Sequence, residues 1–251
     1  MKRLLFKEAI AFSIVFFEAF LAQAQQNKPK YEFGFNLGFL VYQGDLTPEK
    51  LGSFKTQKFS LGFHASRIFS PSFSVRGNLV LGKLYGDDAK YSNPEYRQQR
   101  NFNFTSPVTE ITGQLVWSPL ARNYAEKGFS PYVFAGIGFS FLKIRRNYSS
   151  ISTTYFDPET SDVWAGLAAD AAHTLPRVMP VIPAGIGVKY FFTPKLAFNI
   201  ETSYRLGYTD YLDGFSQAAN PAKKDHYLNY SIGLILRTGK RDLLKCPKIR
   251  Y

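Results

Sequence analysis

Glu201 and Arg205 stand four residues apart in the segment LAFNIETSYRL, Leu196 to Leu206. A carboxylate and a guanidinium at that spacing can pair, relay a proton or grip a polar ligand, depending on the element that carries them. In a strand, alternate side chains share a face. Leu196, Phe198, Ile200, Tyr204 and Leu206 then point one way, with Thr202 among them, and Asn199, Glu201, Ser203 and Arg205 point the other. The first face suits a greasy surrounding; the second needs water or a charged partner. The wall of a membrane barrel, with lipid outside and a polar lumen inside, supplies both.

Other reactive chemistry is sparse. The three histidines, His64, His173 and His226, fall in no nucleophile motif such as G-x-S-x-G. Asp170 and His173 are close in sequence, but spacing alone does not make a dyad. No metal-ligand cluster and no phosphate-cradling glycine loop is found, so the reading is of no cofactor, no metal and no enzyme. Asp210 and Asp213 are hard-cation ligands in type, and two acids are too few to argue a site. Cys246 is the single cysteine, which excludes an internal disulfide.

The element that places Glu201 and Arg205 has seven companions with the same period of two. They run over Tyr31–Tyr42, Phe59–Ile68, Phe73–Gly82, Thr109–Trp117, Pro131–Leu142, Ile182–Tyr190 and Leu228–Leu236. Short connections at Ser70-Pro71 and Thr193-Pro194, and a longer one over Ser118–Ser130, alternate with long ones at about Gly44–Thr56, Gly86–Arg100, Lys143–Met179 and Tyr208–Asp225. The pattern predicts an all-β fold, an eight-stranded antiparallel transmembrane β-barrel of the outer membrane. Its turns would be short and periplasmic, its loops longer and extracellular, and both ends periplasmic. A soluble sandwich is the competing fold, but it would have to hide these apolar faces in a core.

Inward-facing ionisable residues are then His64, Arg76, Glu110, Lys189, Glu201 and Arg205. Two carboxylates against three fixed cations form a network that plugs a barrel this narrow, since buried charges must pair. A proton or ion path would use the same residues. An open diffusion pore belongs to larger barrels.

The chain ends read differently from its middle. Lys2, Arg3 and Lys7, the apolar run Ala9–Phe17 and the small-x-small Ala22-Gln23-Ala24 mark residues 1–24 as an export signal, with Glu18 as its imperfection. The barrel spans residues 25–237. Residues 238–251 form a basic periplasmic tail, with Lys240, Arg241, Lys245, Lys248 and Arg250 against Asp242 alone. From Arg237 onward the chain is placed in the periplasm. Aromatics make up 17% of the sequence, with 24 Phe and 16 Tyr, which suits strands and interfacial girdles. No apolar run reaches transmembrane-helix length. The net charge of +12 raises nucleic acid as a partner, but export and the lack of any binding motif argue against it.

Four pieces of sequence carry a resemblance: YEFGFNLGFLVYQGDL (Tyr31 to Leu46), SPYVFAGIG (Ser130 to Gly138), PVIPAGIGVKY (Pro180 to Tyr190) and TDYLDGFS (Thr209 to Ser216). Together they resemble the small outer-membrane barrels of the PorG type from the Bacteroidetes, which are associated with type IX secretion and gliding. YQGDL and the run Thr209, Asp210, Tyr211, Leu212, Asp213 discriminate best. The resemblance implies a non-enzymatic barrel that anchors or assists the periplasmic ring of the secretion machine, a lipoprotein and its partner. Outer-membrane lipid is the other implied partner, and the basic tail is the implied ring-docking segment. The alternatives are a stand-alone, OmpA-like barrel with a structural or surface-binding role, and a lipid-modifying enzyme. Thr209–Asp213 itself is expected to make local turn bonds, with Tyr208 and Tyr211 joining an aromatic girdle.

Overall fold

The computed structural model describes residues 29–49, 52–221 and 224–239. The expected signal segment and the tail cations Lys240, Arg241, Lys245, Lys248 and Arg250 lie outside them. Among the described residues nine strands occur: β1 (Tyr31–Gln43), β2 (Lys58–Ile68), β3 (Phe73–Asp87), β4 (Asn103–Trp117), β5 (Gly128–Leu142), β6 (Arg145–Asn147), β7 (Val178–Phe191), β8 (Leu196–Leu206) and β9 (His226–Thr238). Eight of them are the expected staves, all antiparallel. The ninth, β6, is a three-residue addition that pairs only with the top of β4.

Each stave bonds its neighbour, and β9 bonds β1 from Tyr31↔Thr238 to Gln43↔His226, which closes the ring. Closure leaves no stave with an unpaired edge, as a bilayer requires. The register fixes the geometry. Starting at Tyr31 and stepping through Arg67, Val75, Leu115, Ala135, Ala184, Tyr204 and Leu228, one returns to β1 at Val41, ten residues higher. That stagger tilts the staves by roughly 40° and sets a barrel just wide enough for side chains to fill.

The outer wall is apolar because one side of the alternation is. Phe33, Phe35, Leu37, Phe63, Val75, Ile111, Leu115, Val133, Ile186, Ile200, Ile232 and Leu234 are all exposed. Aromatics gather at both rims: Tyr31, Phe73, Trp117 and Phe129 at the turn end, Phe39, Phe59, Phe139 and Phe141 at the loop end. From Tyr31 to Phe39, β1 climbs roughly 20 Å along the barrel axis, close to the ~25 Å apolar band of outer-membrane barrels. Such a surface is stable in lipid and not in water. The protein is an outer-membrane barrel with short periplasmic turns.

Three features depart from expectation, each for a physical reason. β3, β4 and β5 reach 15 residues, beyond what the bilayer requires, because their loop ends stand above the lipid. Val41, on the outward side of the alternation with Phe39, is nevertheless fully buried, because Gly52 packs against it. The upper lumen is not polar: Leu40, Val80, Leu84, Phe104, Val108, Leu142 and Val181 form an apolar core there with loop residues Leu46, Phe102, Leu167, Leu212 and Phe215. Outside the lipid, the lumen is packed as a soluble core.

Ile200 faces outward near the middle of the apolar band. Ile200→Arg should cost about 2–4 kcal/mol of folding stability, read as a lower urea midpoint of the folded, heat-modifiable gel band. An unchanged midpoint would contradict the assignment of this face to lipid.

Candidate functional site

The six residues predicted to face inward all enter the lumen, and each is 7% exposed or less. The register joins them in tiers. At the periplasmic end, Glu32 on β1 takes a hydrogen bond from Lys189 on β7 and stands 3.6 Å from the Arg237 guanidinium on β9. One tier higher, Arg76 on β3 donates to Glu201 on β8 at 2.6 Å and to Gln114 at 2.7 Å, and the Tyr132 hydroxyl donates to the same carboxylate at 2.8 Å. Above that, Arg205 on β8 grips Glu110 on β4 with two bonds of 3.1 Å, while the Tyr227 hydroxyl donates to Glu110 at 2.7 Å. Arg205 also donates to the Ser203 hydroxyl.

Glu201 and Arg205 therefore do not pair with each other. Four residues along a tilted stave, each faces a partner across the lumen. His64 packs over Gly34, where an added Cβ would fall 2.0 Å from the imidazole. Glu32 and Arg237 were missed, although parity with Phe33 and Leu236 marks both as inward. Arg237 is a correction: it lies in the lumen and not in the periplasm, with its guanidinium bonded to the Asn123 and Ala125 carbonyls of the turn below. The fixed charges are three carboxylates and four cations.

The lumen is capped by the loops. Loop 88–102 carries helix α1 (Tyr96–Arg100), from which Arg97 and Arg100 converge on buried Asp88 at 2.7–3.1 Å and on the Asp45 carbonyl. Loop 143–177 carries helix α2 (Asp162–Ala172), whose Asp170 carboxylate accepts the backbone N–H groups of Ser216, Gln217 and Ala218 at 3.0–3.2 Å. Gly166 permits that docking, since a Cβ there would sit 2.6 Å from Ala218 Cα. Arg146 on β6 donates to the Gly214 and Asp170 carbonyls, which gives the extra strand its role. Asp170 is thus a loop clamp, and His173 stacks on Tyr211 at 3.8 Å. Tyr211 accordingly joins no girdle, while Tyr208 is exposed.

YQGDL and TDYLD, far apart in sequence, meet here. The Tyr42 hydroxyl lies 2.6 Å from Asp213 Oδ2 and 2.8 Å from Asp225 Oδ1, all fully buried. Gly44 makes the approach possible, because a Cβ there would fall 1.9 Å from both the hydroxyl and Asp225. Asp213 accepts the Phe215 N–H at 2.8 Å and Asp225 the Leu212 N–H at 3.1 Å. Thr209 accepts from the Tyr211 N–H at 3.1 Å, one of the expected turn bonds, and Asp45 takes the Asn220 N–H. Among the described residues no group of three or more candidate metal ligands occurs.

The tyrosine has one hydroxyl proton for two carboxylates. It donates to one; the other contact is a hydrogen bond only when that carboxyl brings its own proton. Burial pushes both Asp213 and Asp225 well above the usual carboxylate range, and repulsion between them and from Asp45 and Asp210 adds to it.

The sequence matches the family described as a domain of unknown function (DUF6089) over residues 7–235. The chain belongs to that family. No curated protein matches it. Among solved structures, Ail, the attachment invasion locus protein of Yersinia pestis, is similar at 9% identity and a TM-score of 0.45, over 84% of this chain and 99% of that one. Neisserial surface protein A is similar at 12% identity and 0.46, over 83% and 97%, and Pseudomonas aeruginosa OprG at 11% and 0.40, over 85% and 98%.

Two outcomes follow from this DUF6089 barrel's geometry. Arg205→Met leaves Glu110 buried without its cation and should cost about 3–5 kcal/mol; adding Glu110→Leu should recover most of that loss in the same urea titration. For the cap, both acids titrate above their unfolded values. Their contribution is full below the ordinary carboxylate pKa and is lost as pH rises through the raised folded values. In a Trp117→Phe background, Trp164 emission, from α2 against the cap core, should shift red as pH rises from 5 to 9, and this shift should disappear in Asp213→Asn/Asp225→Asn.

Proposed function

We propose that this barrel is a non-enzymatic outer-membrane anchor that assists the periplasmic ring of a type IX protein secretion system. The observation that carries the reading is the meeting of Tyr42 with Asp213. The two sequence pieces most specific to the PorG-type resemblance are joined in one buried cluster, so they act as a unit that ties the end of β1 to Asp213 and Asp225. A lumen filled by three tiers of ion pairs and closed by an apolar core suits a rigid anchor better than a conduit. The partners are then outer-membrane lipid around the wall and the ring's lipoprotein and partner below it.

Docking falls to the periplasmic end, where the basic tail follows β9. Since β9 ends at Thr238, deleting residues 240–251 leaves every stave complete. The truncated protein should still migrate as a folded barrel but should recover far less of the periplasmic ring on co-purification; unchanged recovery would reject docking through the tail. Gene deletion should abolish release of secreted cargo, with full-length protein restoring it. Normal secretion in the deletion strain would reject the anchor role and leave the second reading, a stand-alone barrel acting through its loops. That alternative draws support from the fixed cap that the Asp88 and Asp170 clamps build at the cell surface.

A further inference from the structure

Charge is unevenly distributed around the outer wall where the staves leave the lipid. β3, β4 and β5 are the longest staves, so on their flank the outward face continues upward beyond the apolar band. Here a lysine follows the last exposed apolar side chain on three staves. Lys58 adjoins Phe59 on β2, Lys83 stands two residues above Leu81 on β3, and Lys143 stands two above Phe141 at the end of β5. Two residues correspond to roughly 5 Å of height on a stave tilted by about 40°. On the opposite flank, Tyr208 follows Leu206 on β8 and His226 follows Leu228 on β9 in place of lysine.

Pairing gathers these cations. Lys83 pairs with Pro107 on β4, and Val108 with Leu142, which puts Lys143 on the far side of Pro107. With strands about 4.8 Å apart, the row from Lys83 to Lys143 spans roughly 10 Å. In the row above, Tyr85 pairs with Thr105 and Thr105 with Arg145 on β6. Lys58 Nζ lies 4.4 Å from the centre of the Tyr85 ring, which draws its ammonium to the same outer side. Lys83, Lys143 and Arg145 are exposed. Among the described residues none of the four cations is ion-paired with a carboxylate. The neighbouring acids are committed elsewhere: Asp87 to the Tyr85 hydroxyl and the Ala89 N–H, Asp88 to Arg97 and Arg100.

We propose that this flank holds one phosphorylated glycolipid of the outer leaflet, its phosphate esters among the four cations and its acyl chains along Leu81 and Phe141 beneath them. The loop end faces the cell exterior, so the lipid met there belongs to the outer leaflet. Lysine and arginine stems lie on the apolar rim while their charges reach the phosphate layer. A row of this length engages a headgroup phosphorylated at more than one point, whereas a phospholipid offers a single phosphate. Inorganic phosphate lacks the chains that would keep it at this level.

Native mass spectrometry of the full-length protein, released from neutral detergent with added diphosphoryl lipid A, tests the site. Wild-type protein should retain one lipid A, and should retain its dephosphorylated form and phosphatidylglycerol far less. Lys83→Gln/Lys143→Gln/Arg145→Gln alters only exposed side chains and should leave the folded gel band intact. It should bind lipid A about tenfold more weakly or worse, because each Lys or Arg beside an anionic headgroup layer contributes several-fold in affinity. Removing the same number of cations at the turn end, in Lys30→Gln/Arg67→Gln/Lys127→Gln, should leave retention unchanged. No retention by the wild type, equal retention by the loop-end variant, equal loss in the two variants, or equal retention of the dephosphorylated lipid would each overturn the proposal. None of these outcomes depends on the protein's part in secretion.

Discussion

The seam between β1 and β9 governs the rest of the molecule. By pairing Tyr31 with Thr238 while the circuit of the other staves returns to Val41, it fixes a climb of ten residues over eight strands. Each stave is thus offset from the next by about 1.25 residues along its length. With that offset, Arg205 on β8 and Glu110 on β4, 95 residues apart, arrive at one height across the lumen. The same offset levels Arg76 with Glu201 and Glu32 with Lys189. A slip of one residue would turn every inward charge to lipid, and a slip of two would set carboxylates against the wrong tier.

Seen this way, the ion pairs specify the register more than they stabilise the fold. A buried pair gains little over well-packed apolar residues, because desolvation offsets most of the Coulomb attraction, whereas a half-pair is strongly destabilising. The lumen thus penalises every closure except the one observed. Apolar packing cannot provide that discrimination within the membrane, where the outer face is uniform and lipid accepts any register equally. Above the lipid the demand changes, and so does the chemistry: Leu40, Val80, Leu84 and Phe104 turn inward and are sealed by Phe215, itself stacked on Phe102 at 4.5 Å.

Sequence alternation carries the walls well because period two is imposed by strand geometry and by the contrast between lipid and lumen. It assigns Ile200 outward and Glu201 inward with no knowledge of any partner. Even Glu32 and Arg237 are readable by parity. The pairs are not readable, because they depend on the stagger, a property of the closed ring and of no single segment. The apolar upper lumen escapes for another reason: Val41, Leu40 and their neighbours are all apolar where the strand leaves the bilayer, so alternation loses its contrast. The cap is the least legible part. Tyr42, Asp213 and Asp225 are brought together by loops whose paths follow from Gly44, Gly166 and the Asp88 and Asp170 clamps, and no period marks those positions.

The two ends of the lumen solve the problem of buried charge in opposite ways. At the cap, carboxylates crowd a single hydroxyl and their fields oppose one another, so protons are the natural remedy and the cluster is most cohesive when it holds them. At the periplasmic end, guanidinium and ammonium groups outnumber carboxylates. Arginine does not give up its proton, so the charge at that end is fixed at any ordinary pH. The gradient runs from proton-rich acids outside to fixed cations inside. A barrel with that polarity presents its positive end to the periplasm through buried groups such as Arg237. That charge is set by the barrel's own closure, which brings Arg237 on β9 beside Glu32 on β1.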